Sequence, residues 1–216
     1  MPREAKSERC GRAVETCRRL TELYPHAEPA LHFSDPFECV ISVALSAQTT
    51  DANVNKVTPE LFERYGTPEK MAAADVEDVE RIIHPIGFYR VKAKNCVSCA
   101  RMIVEDFGGE VPHTMEELQR LPGVGRKTAN IVMNRSFGVC EGIAVDTHVF
   151  RIAHRLALSD ADTAPATEQD LLALIPEELW PDVNDTWIRF GREWCSARKP
   201  RCAECPLADL CPSAGA

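Results

Sequence analysis

No apolar run in the 216 residues approaches the ~20 that a helix needs to cross a bilayer, so a helical membrane protein is excluded. The opening residues, MPREAKSERC, carry charge where a secretory signal would have an apolar core. A cytoplasmic location is expected, or a nuclear or organellar one in a host with such compartments. Alternating apolar–polar strand patterns are scarce, which argues against a sheet-built fold. Internal repeats and low-complexity linkers are missing too, which removes solenoids and flexible arrays.

Charge is missing selectively. The net charge is −8, at first sight a poor match for a polyanionic partner. Between Ser159 and Thr186 there is no Lys or Arg, only Asp160, Asp162, Glu168, Asp170, Glu177, Glu178, Asp182 and Asp185. That segment alone equals the whole net charge. Residues 118–135, LQRLPGVGRKTANIVMNR, are the reverse: Arg120, Arg126, Lys127 and Arg135 with no acid. A second basic run, RFGREWCSARKPRC, sets Arg189, Arg192, Arg198, Lys199 and Arg201 against Glu193. Local basic patches on an acidic chain suit a partner met on one face; ordinary solvated helix faces are the plainer explanation.

What is present is helical periodicity, and the expected fold class is all-α with many short helices. SERCGRAVETCRRLTEL starts at a Ser7 N-cap and turns Val14, Cys17 and Leu20 inward. DPFECVISVALSAQ has Asp35 as cap and Pro36 at the first helical position, and is apolar almost all round, so it is expected to be a buried central helix. TDANVNKVTPELFERYG is expected to be interrupted at Pro59 and ended by Gly66. DVEDVERIIHPIG closes at Pro85 and Gly87, and YRVKAKNCVSCARMIVEDFGG at Gly108-Gly109. TMEELQRL opens with a Thr114/Glu117 capping box. RKTANIVMNRSFG, VDTHVFRIAHRLAL, TEQDLLALI and DVNDTWIRFGREWC complete the set.

Residues 114–137 read as helix, tight turn, helix. Gly123 and Gly125 are expected to take backbone angles closed to other residues and to let another surface approach the main chain. The helix that follows presents free N–H groups and its dipole, an anion site that fits a DNA phosphate without reading sequence. Leu121-Pro122-Gly123-Val124-Gly125 thus resembles a helix-hairpin-helix motif, against the alternative of a plain αα-hairpin with a glycine turn. Lys127 has two possible jobs. One is a second phosphate contact, which the sequence alone favours. The other is nucleophilic: at a helix N-terminus beside Arg126, positive potential favours the neutral amine, which can form a Schiff base.

Ten cysteines without a secretion signal are better read as ligands than as disulfides. Cys195, Cys202, Cys205 and Cys211 are separated by six, two and five residues. Four thiolates in one short segment suit tetrahedral zinc or a cubane iron–sulfur cluster. The wide first gap breaks the paired zinc pattern, and Pro206 and Pro212 each follow a cysteine as in ferredoxins, so a [4Fe-4S] cluster is preferred. That first gap would form a loop presenting Arg198, Lys199 and Arg201. The remaining cysteines, Cys10, Cys17, Cys39, Cys96, Cys99 and Cys140, are read as structural, with Cys96 and Cys99 on one face of a helix.

The hairpin, the lysine, VDTH and Cys-x6-Cys-x2-Cys-x5-Cys follow one another within about 100 residues. In combination the chain resembles the endonuclease III family of base-excision DNA glycosylases. The resemblance implies two helical domains with a DNA-binding groove between them. A six-helix barrel containing the hairpin would span residues 29–140, and residues 1–28 and 141–216 would form a discontinuous cluster domain. It implies Lys127 as catalytic nucleophile on C1′ of a damaged nucleotide and Asp146 as its catalytic aspartate, stabilising charge on the sugar or handling a proton. Base loss, imine formation and β-elimination would then nick the strand 3′ to the abasic site. Implied partners are double-stranded DNA carrying oxidised pyrimidines or abasic sites, bound by a monomer with no membrane contact. A flipped nucleotide leaves a gap to fill. Gln48 matches the family's gap-filling glutamine, and its apolar wedge falls on Phe88, where many relatives have Leu. Gly123, Gly125, Arg126, Arg198, Lys199 and Arg201 complete the expected DNA contacts. Asp146 before Thr147-His148-Val149 is equally an ordinary N-cap, and His148 is read as a packing or hydrogen-bonding residue.

Two rival readings are compatible with the sequence. A related adenine glycosylase would excise without the lysine nucleophile, but it usually carries a Glu where this chain has Val43. It also carries an extra C-terminal domain, whereas five residues follow Cys211 here. A non-catalytic DNA-binding or electron-transfer module would keep the hairpin and cysteines and give Lys127 and Asp146 no chemistry.

Overall fold

The computed structural model describes residues 5–25 and 30–214. Its α-helices, in chain order, are α1 (Lys6–Leu23), α2 (Pro36–Leu45), α3 (Asp51–Tyr65), α4 (Pro68–Ala72), α5 (Val76–Ile82), α6 (Tyr89–Phe107), α7 (Met115–Leu118), α8 (Arg126–Phe137), α9 (Thr147–Arg155), α10 (Ala164–Leu172) and α11 (Trp180–Glu193). Short 3-10 turns occur at Glu177–Leu179, Cys202–Glu204 and Ala208–Leu210. Among the described residues there is no strand, so the all-α expectation holds. None of these helices is long and apolar enough to cross a membrane.

The chain divides into two compact units, Pro29–Glu141 and Met1–Glu28 with Gly142–Ala216. In the first, α2 is the central element. Asp35 caps it by accepting from Glu38 N at 2.9 Å, and Pro36 fixes its first turn. Phe37, Val40, Ile41, Val43 and Leu45 are all buried against neighbours that include α3, α6 and α8. Burial of each such side chain contributes about 1.5–3 kcal/mol. Helix α6 runs along the same core with Cys96, Val97, Cys99, Ala100 and Ile103 inward, and ends in a left-handed Gly108. Cys96 and Cys99 do share a buried face.

Two local expectations change. Helix α1 begins at Lys6, with Ala5 rather than Ser7 at the cap and no side-chain cap bond; its burial of Ala13, Cys17 and Leu20 sets the start instead. Helix α3 continues through Pro59, because Val54, Val57, Thr58 and Leu61 bury both of its halves in one core. Gly66 ends it, yet with an ordinary φ of −77°. The glycine is required there because a Cβ would meet Phe62 O at 2.4 Å.

The second unit joins the two ends of the chain. Trp187 and Leu20 are fully buried beside Val149 and Ile152, bringing α1, α9 and α11 into one core. Polar ties reinforce this. Arg12 Nε donates to Leu156 O at 2.8 Å, and Tyr24 OH to Glu193 Oε2 at 2.8 Å. The Arg19 guanidinium donates to both Asp209 carboxylate oxygens at 2.7 and 2.9 Å.

Candidate active site, DNA interface and cysteine centre

Leu118, Leu121 and Val124 are buried and anchor the hairpin to the first unit's core. Gly123, Gly125, Arg126 and Lys127 are exposed between and after them. The two glycines turn out to serve different ends. Gly123 has φ +84°, and a Cβ there would press on Asn95 at 3.1–3.2 Å, so both conformation and space require it. Gly125 is extended (φ −92°, ψ 176°), a conformation open to any residue, with nothing within 4 Å of a built Cβ. Its contribution is a bare N-cap that leaves the first turn of α8 uncovered by any side chain. That turn contains no acid and places Arg126 and Lys127 at its first two positions.

Gln48 and Phe88 come together. Both sit in the left-handed region, at φ +54° and +59°, where a non-glycine residue costs about 1–3 kcal/mol. Phe88 is 67% exposed and Val91, one turn on, is 58% exposed. Gln48 and Phe88 wall one cavity of about 290 Å³, with Gly123, Asn95 and Lys92 also lining it. Lys92 is a residue that sequence reasoning missed. It is buried, and its Nζ donates to Leu45 O at 2.9 Å and Ala47 O at 2.6 Å. Burial draws its pKa below the ordinary lysine value. The one available signal was a lysine four residues after Phe88 on an otherwise inward-facing stripe.

In the second unit Asp146 caps α9. Its Oδ1 accepts from His148 N at 2.7 Å and Val149 N at 2.9 Å, and Oδ2 lies 3.1 Å from His148 Nδ1. The side chain is only 14% exposed. The cap is therefore real, and it holds a carboxylate in one fixed orientation. His148 packs on α11, where a Cβ at Gly191 would meet its ring at 3.0 Å.

Cys195, Cys202, Cys205 and Cys211 line a single cavity of about 270 Å³, closed by Ile152, Phe190 and Leu207. All four are free thiols. Burial raises the pKa of Cys205 and Cys211, and the neighbouring cysteines of the set raise them further. Four thiolates this close need a cationic centre to coexist. Arg155 clamps the loop, with Nη1 to Cys195 Sγ at 3.1 Å and Ser196 O at 2.8 Å. Arg198 and Lys199 are exposed on that loop, whereas Arg201 stacks over Trp194 at 4.5 Å and pairs with Glu204 at 2.6 Å.

Residues 41–177 match the HhH-GPD superfamily of base excision DNA repair proteins, and residues 195–211 match the iron–sulfur binding domain of endonuclease III. The second match starts and stops on Cys195 and Cys211. Endonuclease III of Synechocystis sp. is 49% identical over 205 residues, covering 95% of this chain and 94% of that one. Endonuclease III of Bacillus subtilis is 49% identical over 200 residues, covering 92% and 91%. A solved structure of a trapped endonuclease III–DNA covalent intermediate superposes with a TM-score of 0.87 at 44% identity, covering 92% and 93%. Identity of this order along nearly the whole length means that the chain belongs to the endonuclease III family of base-excision repair DNA glycosylase/AP lyases and carries that family's [4Fe-4S] cluster.

Proposed function

We propose that Lys127 is the nucleophile of this glycosylase/lyase and Asp146 its electrostatic partner, acting on oxidised pyrimidines in duplex DNA. The observation that carries the reading is the exposed lysine in the acid-free first turn of α8, behind an N-cap with no side chain. A phosphate can reach the main-chain amides of that turn. Lys127 Nζ attacks C1′ as the damaged base departs with the glycosidic electron pair and takes up the proton the amine releases; the aminal then opens at C1′–O4′, O4′ gaining a proton from water, and the resulting iminium loses a C2′ proton and expels the 3′ phosphate by β-elimination. Asp146, held by three donors, supplies negative charge toward the electron-poor sugar.

The barrel role falls to the Pro29–Glu141 unit and the cluster role to the other. Cys195, Cys202, Cys205 and Cys211 hold the cluster, and the protein acts as a monomer. When bound, the cluster supplies a fixed cationic core for four thiolates. Around it, Arg155 orients the loop that presents Arg198 and Lys199 to the DNA backbone. Arg126 and the main chain at Gly123 and Gly125 grip the backbone from the hairpin; Arg201 contributes while stacked on Trp194.

Gln48 fills the gap and Phe88 wedges between base steps, as apolar side chains do in kinked duplexes. A large exposed ring on a left-handed residue gives Phe88→Gly effects of opposite sign. Removing the strain is expected to raise stability by about 1 kcal/mol in thermal melts. Losing the ring is expected to weaken binding to an abasic-analogue duplex about tenfold, the worth of one stacking contact. Unchanged affinity would move the wedge elsewhere.

Substrate class is tested by an excision panel containing thymine glycol, 5-hydroxycytosine, uracil and mismatched adenine, with and without borohydride. Release of the first two, with a covalent adduct only under reduction, is the expected pattern. Release of adenine without an adduct would favour the adenine-glycosylase reading instead; buried Val43 offers no carboxylate for it.

A further inference from the structure

Helix α6 and its N-cap align three residues on one face. Phe88 stands at its N-cap, Lys92 one turn on, and Asn95 one turn further, spacings of four and three that stack side chains in a row. Asn95 packs on Gly123 of the hairpin, so closely that a Cβ on the glycine would sit 3.2 Å from the Asn95 Cβ. Lys92 reaches the turn after α2, and all three residues line the 290 Å³ cavity with Gln48.

The Lys92 contacts fall at an informative place. Leu45 is the last residue of α2, Ser46 is its C-cap, and Ala47 precedes Gln48. The Ala47 carbonyl belongs to the peptide plane whose other edge is the Gln48 nitrogen. Rotating that plane changes the φ of Gln48 and swings the carbonyl away. Holding the carbonyl at 2.6 Å therefore holds Gln48 at φ +54°, a conformation that persists only when its surroundings fix it. The other bonds of the turn, Ala47 N to Ala44 O at 3.4 Å and Thr49 N to Ser46 O at 3.1 Å, leave that carbonyl ungripped.

We propose that Lys92 is a positioning residue for lesion recognition: its buried amine locks the left-handed turn that presents Gln48 and keeps it in register with Phe88 and the hairpin along α6. The inference rests on the proposed gap-filling role of Gln48. Preorganisation of this kind lowers the ordering cost of binding at the damaged site and leaves contacts with intact backbone alone.

The test is a double-mutant cycle on the cluster-loaded full chain, read as the ratio of Kd for undamaged duplex to Kd for the same duplex with a stable abasic analogue. Lys92→Met keeps the stem and removes the donors. It is expected to lower the ratio about tenfold by weakening the abasic complex only. Gln48→Ala is expected to lower it similarly, and the double variant to fall no further, because the lysine acts through the glutamine. Lys92→Arg, which keeps donors for both carbonyls, is expected to hold the ratio near wild type. Losses that multiply in the double variant would overturn the proposal, as would a Lys92→Met ratio equal to wild type or equal weakening on both duplexes. A Lys92→Met chain that fails to fold while Lys92→Arg is normal would assign the lysine to stability and overturn it too. A wild-type ratio in Gln48→Ala would remove the gap-filling role itself, and this proposal with it. A lowered ratio there beside an unaffected Lys92→Met would sink the Lys92 inference alone.

Discussion

Lys127→Gln is expected to yield no borohydride-trapped adduct with lesion DNA, and to slow both base release and strand scission by at least roughly 10³-fold. Glutamine is one atom shorter than lysine but has a similar helix propensity, and the first-turn position is exposed, so stability should change by no more than about 0.5 kcal/mol. Affinity for undamaged duplex should fall only by one phosphate contact. A defect confined to chemistry would separate the two jobs that the sequence leaves open for this lysine. An undiminished adduct would mean that another amine reacts. Lys92 is the natural suspect, having depressed basicity, yet its nitrogen is committed to two carbonyls at 2.9 and 2.6 Å. A surviving adduct would therefore remove Lys127 from the nucleophile role without supplying an evident substitute.

The second large effect is expected at Asp146→Asn. Asparagine caps helices as well as aspartate does, so Oδ1 can still accept from His148 N and Val149 N, and melting should be nearly unchanged. The new amide then faces His148 Nδ1, and the imidazole can meet it by presenting its lone pair. What disappears is the negative charge. Excision of thymine glycol should drop by about 10²–10³-fold, the range for removing one preorganised electrostatic group, with DNA affinity retained. Cleavage at a preformed abasic site, which needs no base departure, should suffer less. Asp146→Ala provides the contrast, since it also loses the cap and about 1 kcal/mol of stability. Full excision by the Asn variant would reduce Asp146 to a helix cap.

Much of this was legible because the relevant signals are local. Caps at Asp35, Thr114 and Asp146, the left-handed Gly123 and the cysteine spacing each depend on a few neighbouring residues. What escaped depends on residues far apart in the chain. Arg120 looked like part of an acid-free patch, yet it pairs with Asp106 of α6 at 3.0 Å and stacks over Phe107. Pro59 signals a break, but burial on both sides carries the helix through it. The left-handed positions themselves, Gln48 and Phe88, are neither glycine nor asparagine, so nothing in the residue type announces them. Lys92 escapes because its carbonyl partners lie 45 and 47 residues away.

The pairing of Arg19 with Asp209 closes 190 residues of chain. On the ribosome this sets an order of events. Residues 29–141 are contiguous, so they can collapse as they emerge, while α1 waits with Leu20 and Cys17 unpartnered until α11 and the cysteine tail leave the exit tunnel. The prior collapse of the middle segment shortens the effective tether between the two ends and eases their meeting. Iron delivery is thereby deferred until the cysteine tail has emerged, and a nascent chain stopped before Cys195 would hold a finished hairpin unit with nothing to receive the metal.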